Sequence, residues 1–145
     1  MENLFECKVR FDKTLENGKQ KKVKETYLVD AVSCSEAEKR VYEEVTMYTQ
    51  SDVDIRSAKK LDIDELVISG DGDIWYQCKI SNITVDKKSG AEKKTPYLVI
   101  VKAESFGQCL SKVLSLYNGT TIDYVIEEIK STSILDYFTY EAANV

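Results

Sequence analysis

The chain has 145 residues and a formal net charge of −5, and is 43% hydrophobic and 31% charged, the balance of a water-soluble globular domain able to bury a core without metals or disulfides. One proline and six glycines argue against a long disordered linker, and no apolar run approaches the ~20 residues of a membrane span. With 20 basic and 25 acidic residues, the chain has no broad cationic surface for nonspecific nucleic-acid binding, which leaves room only for a local patch.

The start, Met1 to Glu6, has neither the basic end nor the apolar stretch of a signal peptide, so a cytoplasmic protein is expected. From Leu4 to Thr14, Phe5, Cys7, Val9 and Phe11 alternate with Glu6, Lys8, Arg10 and Asp12, the period-two pattern of a half-buried strand. Asn17-Gly18 is a hairpin signal because both residues tolerate positive φ. Lys22 to Val32 is the return strand. Ser35-x-x-Glu38 reads as a capping box opening a helix. Ala37, Val41, Val45 and Tyr48 form its apolar stripe, and it ends near Tyr48-Thr49. Asp52 to Leu61 is a less regular strand, Asp62 to Leu66 one helical turn, and Ser69 to Asp73 a loop.

The second half repeats this plan. Cys7 matches Cys78, Lys8 matches Lys79, Gly18 matches Gly90, Lys21-Lys22 matches Lys93-Lys94, and Tyr27-Leu28-Val29 matches Tyr97-Leu98-Val99. Trp75 to Val85 begins a second hairpin, with a phase shift suggesting a bulge near Asn82. Tyr97 to Val101 is apolar on both faces, as in a central strand. Ser105-x-x-Gln108 opens a second helix with Phe106, Leu110, Val113 and Tyr117 inward, helped by Cys109 and Leu114; Asn118-Gly119 stops it. Thr121 to Lys130 is the last strand, and Ser133 to Phe138 mirrors the short turn at Asp62 to Leu66.

The fold class expected is α+β: a tandem duplication of a β-β-α-β unit, with six main strands, two main helices and an intrachain pseudo-two-fold. Residues 1–145 form one compact domain, with a first copy over 4–68, a seam at 69–73, a second copy over 74–138 and a tail at 139–145. The crossover from second to third strand is expected to be right-handed, and placing the third strand beside the first gives local order 2-1-3 with the helix on one face. One six-stranded sheet and two facing sheets both satisfy the pattern. Cys7 and Cys78 fall at equivalent places, so a two-fold relation can bring them together. The four cysteines lack metal-ligand spacing, and with no histidine in the chain they read as packed free thiols.

The runs WYQCK…SGAEKKT…VKAESF and LFECKVR…ENGKQKK…YLVDA resemble an uncharacterised domain-of-unknown-function family of small proteins from Bacteroides-type bacteria and their phages. The similarity extends from Leu4 to Phe138, with Ser89 to Thr95 its most specific part. It implies a bacterial or phage cytoplasmic protein, and it brings no activity and no catalytic residue.

Lysines concentrate at the hairpin tips: Lys19, Lys21, Lys22 and Lys24 at one, Lys87, Lys88, Lys93 and Lys94 at the other. They can hold phosphates as point charges, with Ser89, Gly90 and Thr95 supplying small donors and close backbone approach. Lysines there also keep sheet edges from pairing. Trp75, Tyr76, Tyr97, Tyr124, Tyr137 and Tyr140 either stack on bases or a partner, with Trp75 and Tyr97 foremost, or pack the core. Asp62, Asp64, Glu65, Asp71 and Asp73 lack the register of a calcium loop. No nucleophile has an activating histidine, and neither a P-loop nor GxGxxG is present. The expectation is therefore a non-catalytic protein, without cofactor or metal, that binds an anionic partner through the duplicated lysine tips. That partner is a nucleotide-like ligand or an acidic protein surface. Nucleic-acid binding by the sheet face and the same lysines is one alternative. The other is a structural role in which Tyr97 to Val101 with Ile134, Leu135, Tyr137 and Phe138 complete a homo-oligomer.

Overall fold

The computed structural model describes residues 3–139. Within them the chain is α+β, with eight strands and two helices. In order these are β1 (Leu4–Thr14), β2 (Gln20–Asp30), α1 (Cys34–Thr46), β3 (Asp54–Leu61), β4 (Glu65–Val67), β5 (Ile74–Val85), β6 (Glu92–Ala103), α2 (Phe106–Leu116), β7 (Asp123–Ser131) and β8 (Ile134–Phe138). Two four-stranded sheets, ordered β3-β1-β2-β8 and β4-β6-β5-β7, replace the six strands read from the alternation. The third strand of each β-β-α-β run lies beside the first, in the expected local order 2-1-3. Neither helix is long and apolar enough to cross a membrane.

The two additional strands lie where single helical turns were expected. Asp62 to Leu66 contributes β4, and Ser133 to Phe138 contributes β8. Each adds in parallel to a sheet built by the other half of the sequence: β4 to β6, and β8 to β2. The described chain thus divides into one compact unit of residues 3–61 with 133–139 and another of residues 62–132. A run of five or so residues is too short for its periodicity to separate a strand from a helical turn, and a parallel partner distant in sequence leaves no local mark.

In the first unit, Phe5, Cys7, Val9 and Phe11 of β1 and Tyr27 and Val29 of β2 pack against Ala37, Val41 and Val45 of α1. In the second, Tyr76, Cys78 and Ile80 with Val99 and Val101 pack against Cys109, Val113 and Tyr117 of α2 and its C-cap. Each fully buried valine or isoleucine stabilises its unit by about 1.5–3 kcal/mol. The sulfur neighbour of Cys78 is Cys109 at 3.6 Å, within the same unit; Cys7 lies in the first unit's core.

The cap of the first helix and part of the inward stripe of the second differ from the sequence reading. The first helix is capped by Ser33, whose hydroxyl accepts from the Glu36 amide at 3.1 Å, not by Ser35. Ser33-x-x-Glu36 and Ser35-x-x-Glu38 both fit a capping box, and the inward stripe of Ala37, Val41 and Val45 is common to both readings. Tyr48 is then outside the stripe and 76% exposed. In the second helix Ser105 is the cap, accepting from Gln108 at 3.1 Å. Cys109, Val113 and Tyr117 point inward, Leu110 is half-buried, and Phe106 and Leu114 are exposed.

The hairpins also hold a slip. Cys7 faces Tyr27 across β1 and β2, whereas Cys78 faces Val99 across β5 and β6. Tyr27 therefore corresponds to Val99, two residues beyond Tyr97. A slip of two keeps every side chain on its face, so alternation does not reveal it. The bulge lies between Lys79 and Ile80 against β7, earlier than Asn82, and a like-placed shift falls between Lys8 and Val9 against β3. Gly18 (φ 81°) and Gly90 (φ 72°) turn the two hairpins in the left-handed region open to glycine.

Candidate functional site

Alternation along β2 and β6 separates the lysines that the sequence places together. Lys21 faces Lys13, on the helix side of the first sheet, and Lys93 faces Thr84 on the helix side of the second. Lys22 and Lys24 turn to the other face, opposite Asp12 and Arg10; Lys94 does so opposite Ile83. Lys19, Lys87 and Lys88 sit in the loops. Ser89 and Gly90 serve the turn itself: the Ala91 amide donates to Ser89 Oγ at 3.2 Å and the Gly90 amide to the Asp86 carbonyl at 2.8 Å. The Lys88 amide and the Ser89 hydroxyl hold the Asp86 carboxyl below its ordinary range. Thr95 faces Asn82.

The open face of the first sheet is where cations converge. Lys8 stands beside Thr26, and Arg10 beside Lys24, on adjacent strands. Lys22 follows one step nearer the turn, and Arg56 is the extra residue at the β3 bulge. Asp54 engages both Arg10 at 3.6 Å and Arg56 at 3.0 Å, and Glu6 lies 3.9 Å from Lys8. Among the described residues no ion pair reaches Lys22 or Lys24, and both are exposed. Such surface pairs contribute little stability, so Arg10 and Lys8 can exchange them for an external anion. In the second sheet the corresponding positions are Lys79, Ser81, Pro96, Lys94 and, at the bulge, Glu127. There Lys94 is 3.8 Å from Glu127. The cationic row therefore belongs to one unit, and the two tips are not equivalent.

Trp75 and Tyr97 differ in exposure. Trp75 is 2% exposed, with Lys102 Nζ 5.6 Å from its ring centroid. Tyr97 is half-buried and donates to Glu65 Oε2 at 2.8 Å; that bond and burial push its phenol up to about 12. Tyr76 is buried, Tyr124 stacks on Tyr117, and Tyr137 donates to Asp30. Tyr140 and the rest of the 139–145 tail beyond Thr139 lie outside the described residues. The acidic cluster is partly engaged in the sheet: Asp64 accepts from the Leu98 amide at 2.7 Å, and Glu65 accepts from Tyr97. Burial pushes the Cys7 and Cys78 thiols up to about 12, away from thiolate chemistry. The strand Tyr97 to Val101 is central, flanked by β4 and β5, whereas β8, which holds Ile134, Leu135, Tyr137 and Phe138, pairs with β2 on one side and ends its sheet on the other.

A cavity of about 350 Å³ opens in the first unit, on the helix side of its sheet. Phe11, Tyr27, Val45 and Phe138 form its walls, with Glu25, Asp136 and Lys13. Sequence reading missed it because β8 supplies Asp136 and Phe138 from far along the chain. The readable signal was a difference in size at like positions, visible once the helices are aligned on their true caps.

A family model described as a domain of unknown function, DUF4494, matches residues 3–140. The chain belongs to this family. The DUF4494 match spans both units and both sheets, so the strand exchange lies inside the family's boundaries. No curated protein and no solved structure matches the chain significantly.

Proposed function

We propose that this DUF4494 protein is a non-catalytic binding protein for an anionic partner, and that it engages that partner through the open face of the first sheet. The observation that carries the reading is the strand register that sets Lys22 and Lys24 beside Arg10 and Lys8 on one exposed surface. Side chains on one face repeat about every 7 Å along a strand. A nucleotide-like ligand or an acidic protein segment can span two such steps. The row's length favours a second reading, an extended single strand of nucleic acid, as the occupant of the same face. The absence of histidine and the protonated buried thiols support a binding rather than a catalytic role. The like-placed caps, bulges and hairpins support descent from a duplicated β-β-α-β unit, in which one copy kept or gained the cationic row. A bacterial or phage cytoplasm is the setting we propose.

Fluorescence anisotropy with labelled oligothymidylate, competed by ATP and by polyglutamate, tests the site. Engagement of the four cations Lys8, Arg10, Lys22 and Lys24 by single-strand phosphates predicts a log–log salt slope of about −3. K22E/K24E is expected to abolish binding of every anion while leaving the melting curve intact. Unchanged affinity in that variant rejects the site, and competition by polyglutamate alone rejects the nucleic-acid reading.

A further inference from the structure

The two units differ at the mouth of the helix–sheet layer. The rows Cys7–Tyr27–Asp136 and Cys78–Val99–Glu65 correspond across β1-β2-β8 and β5-β6-β4. The caps Ser33 and Ser105 follow Tyr27 and Val99 at the same interval, so Val45 corresponds to Tyr117. In the second unit Tyr117 fills this space. It stacks on Tyr124 with centroids 3.8 Å apart and donates to Asn82 Oδ1 at 2.6 Å. Tyr97, the counterpart of Glu25, donates to Glu65, the counterpart of Asp136. All these polar groups satisfy one another.

In the first unit the same space is open. Val45 is too short to fill it, and Phe11 stands where Asn82 receives the tyrosine. The result is the cavity of about 350 Å³, within the size range of small-ligand sites. Its walls are aromatic: Tyr27 and Phe138 stack with centroids 5.1 Å apart. Tyr27, 8% exposed, donates its hydroxyl to Glu25. Burial, that hydrogen bond and the charges of Glu25 and Asp136 all push its phenol up, so two carboxylates act on one phenol. Lys13 stands at the lining too, beside Lys21 across the strand pair.

We propose that this cavity binds a small organic ammonium, an amine with an apolar body, held by Glu25 and Asp136 and packed against Phe11, Tyr27 and Phe138. Two carboxylates beside aromatic faces suit a cation through charge-assisted hydrogen bonds and the negative ring faces. An anion would meet a lining of net negative charge, and with Lys13 as its cation a neutral molecule would leave one of the two carboxylates uncompensated. Lys13 disfavours a second positive charge on the ligand, so the amine is a monocation. This site is independent of the anion-binding face, and K22E/K24E leaves it unaffected.

An NMR titration of the isotope-labelled full chain with phenethylamine tests it, alongside neutral 2-phenylethanol and anionic 3-phenylpropionate. The amine is expected to shift the amides around Tyr27 and Val45. The alcohol and the acid are expected to bind at least about tenfold more weakly, the size of one charge-assisted contact. E25Q keeps the shape and is expected to weaken the amine by about the same factor. V45Y copies the second unit's plug and is expected to remove the shifts. Should V45Y fold poorly by circular dichroism, E25Q carries the decision. No shifts at millimolar amine, equal binding of the three probes, or undiminished amine binding by E25Q overturns the proposal.

Discussion

Gly72 lies in the loop that leads into β5, and a methyl group there has nowhere to go. A Cβ built on it would sit 2.1 Å from the Ala103 carbonyl carbon and 2.5 Å from its Cα. Ordinary contact begins at 3.4 Å. The obstacle is the main chain of β6, whose Ala103 is fully buried, so no side chain can rotate aside. Overpacking against a fixed backbone belongs at the upper end of its usual range, so Gly72→Ala should cost about 3 kcal/mol. Gly90→Ala is the internal control. It has φ +72° but open space within 4 Å, and should cost only about 1 kcal/mol from the left-handed backbone alone. Both glycines share a unit with Trp75, the sole tryptophan and a buried one. Urea unfolding followed by its fluorescence therefore reports the unit that carries the change. A G72A variant no less stable than G90A would refute the close approach of this loop to β6.

Two further outcomes follow from burial. Folded Cys7 and Cys78, pushed from the ordinary 9.0 to about 12, keep protons that the unfolded chain releases, and Tyr97 does the same from 10.0 to about 12. Between about pH 9 and 12 the folded state binds more protons, so stability falls as pH rises through that window. The urea midpoint should be lower at about pH 10.5 than at about pH 8, and an unchanged midpoint contradicts this. On α2, V113A should cost about 2 kcal/mol by leaving a cavity, whereas F106A at a 54% exposed site should stay within about 0.5 kcal/mol. A reversal of that order would restore the stripe that includes Phe106.

The open face and the cavity differ in how far they were legible. Lys22 and Lys24 could be named from sequence as tip lysines, but so could Lys21 and Lys93, and only the register assigns the four to opposite faces. Arg10 and Lys8 were visible as the polar side of β1, without their neighbours on β2. The cavity needed Asp136 and Phe138, which join Glu25 and Tyr27 only through the parallel pairing of β8 with β2.

Hairpins and helices were determined by the chain alone, because each is closed by neighbours in sequence. Alternating residues define a strand face, a glycine turns it, and a serine three places before a carboxylate or amide starts a helix. The β-β-α-β order follows from that, and handedness sets the side of the sheet on which each helix crosses. The exchange of β4 and β8 between the two halves was decided only in three dimensions. Short parallel strands derive their stability from partners roughly a hundred or thirty residues away, and nothing local encodes that choice. Which of two caps opens α1, and which residue of β6 stands opposite Cys78, were likewise visible only in the folded chain.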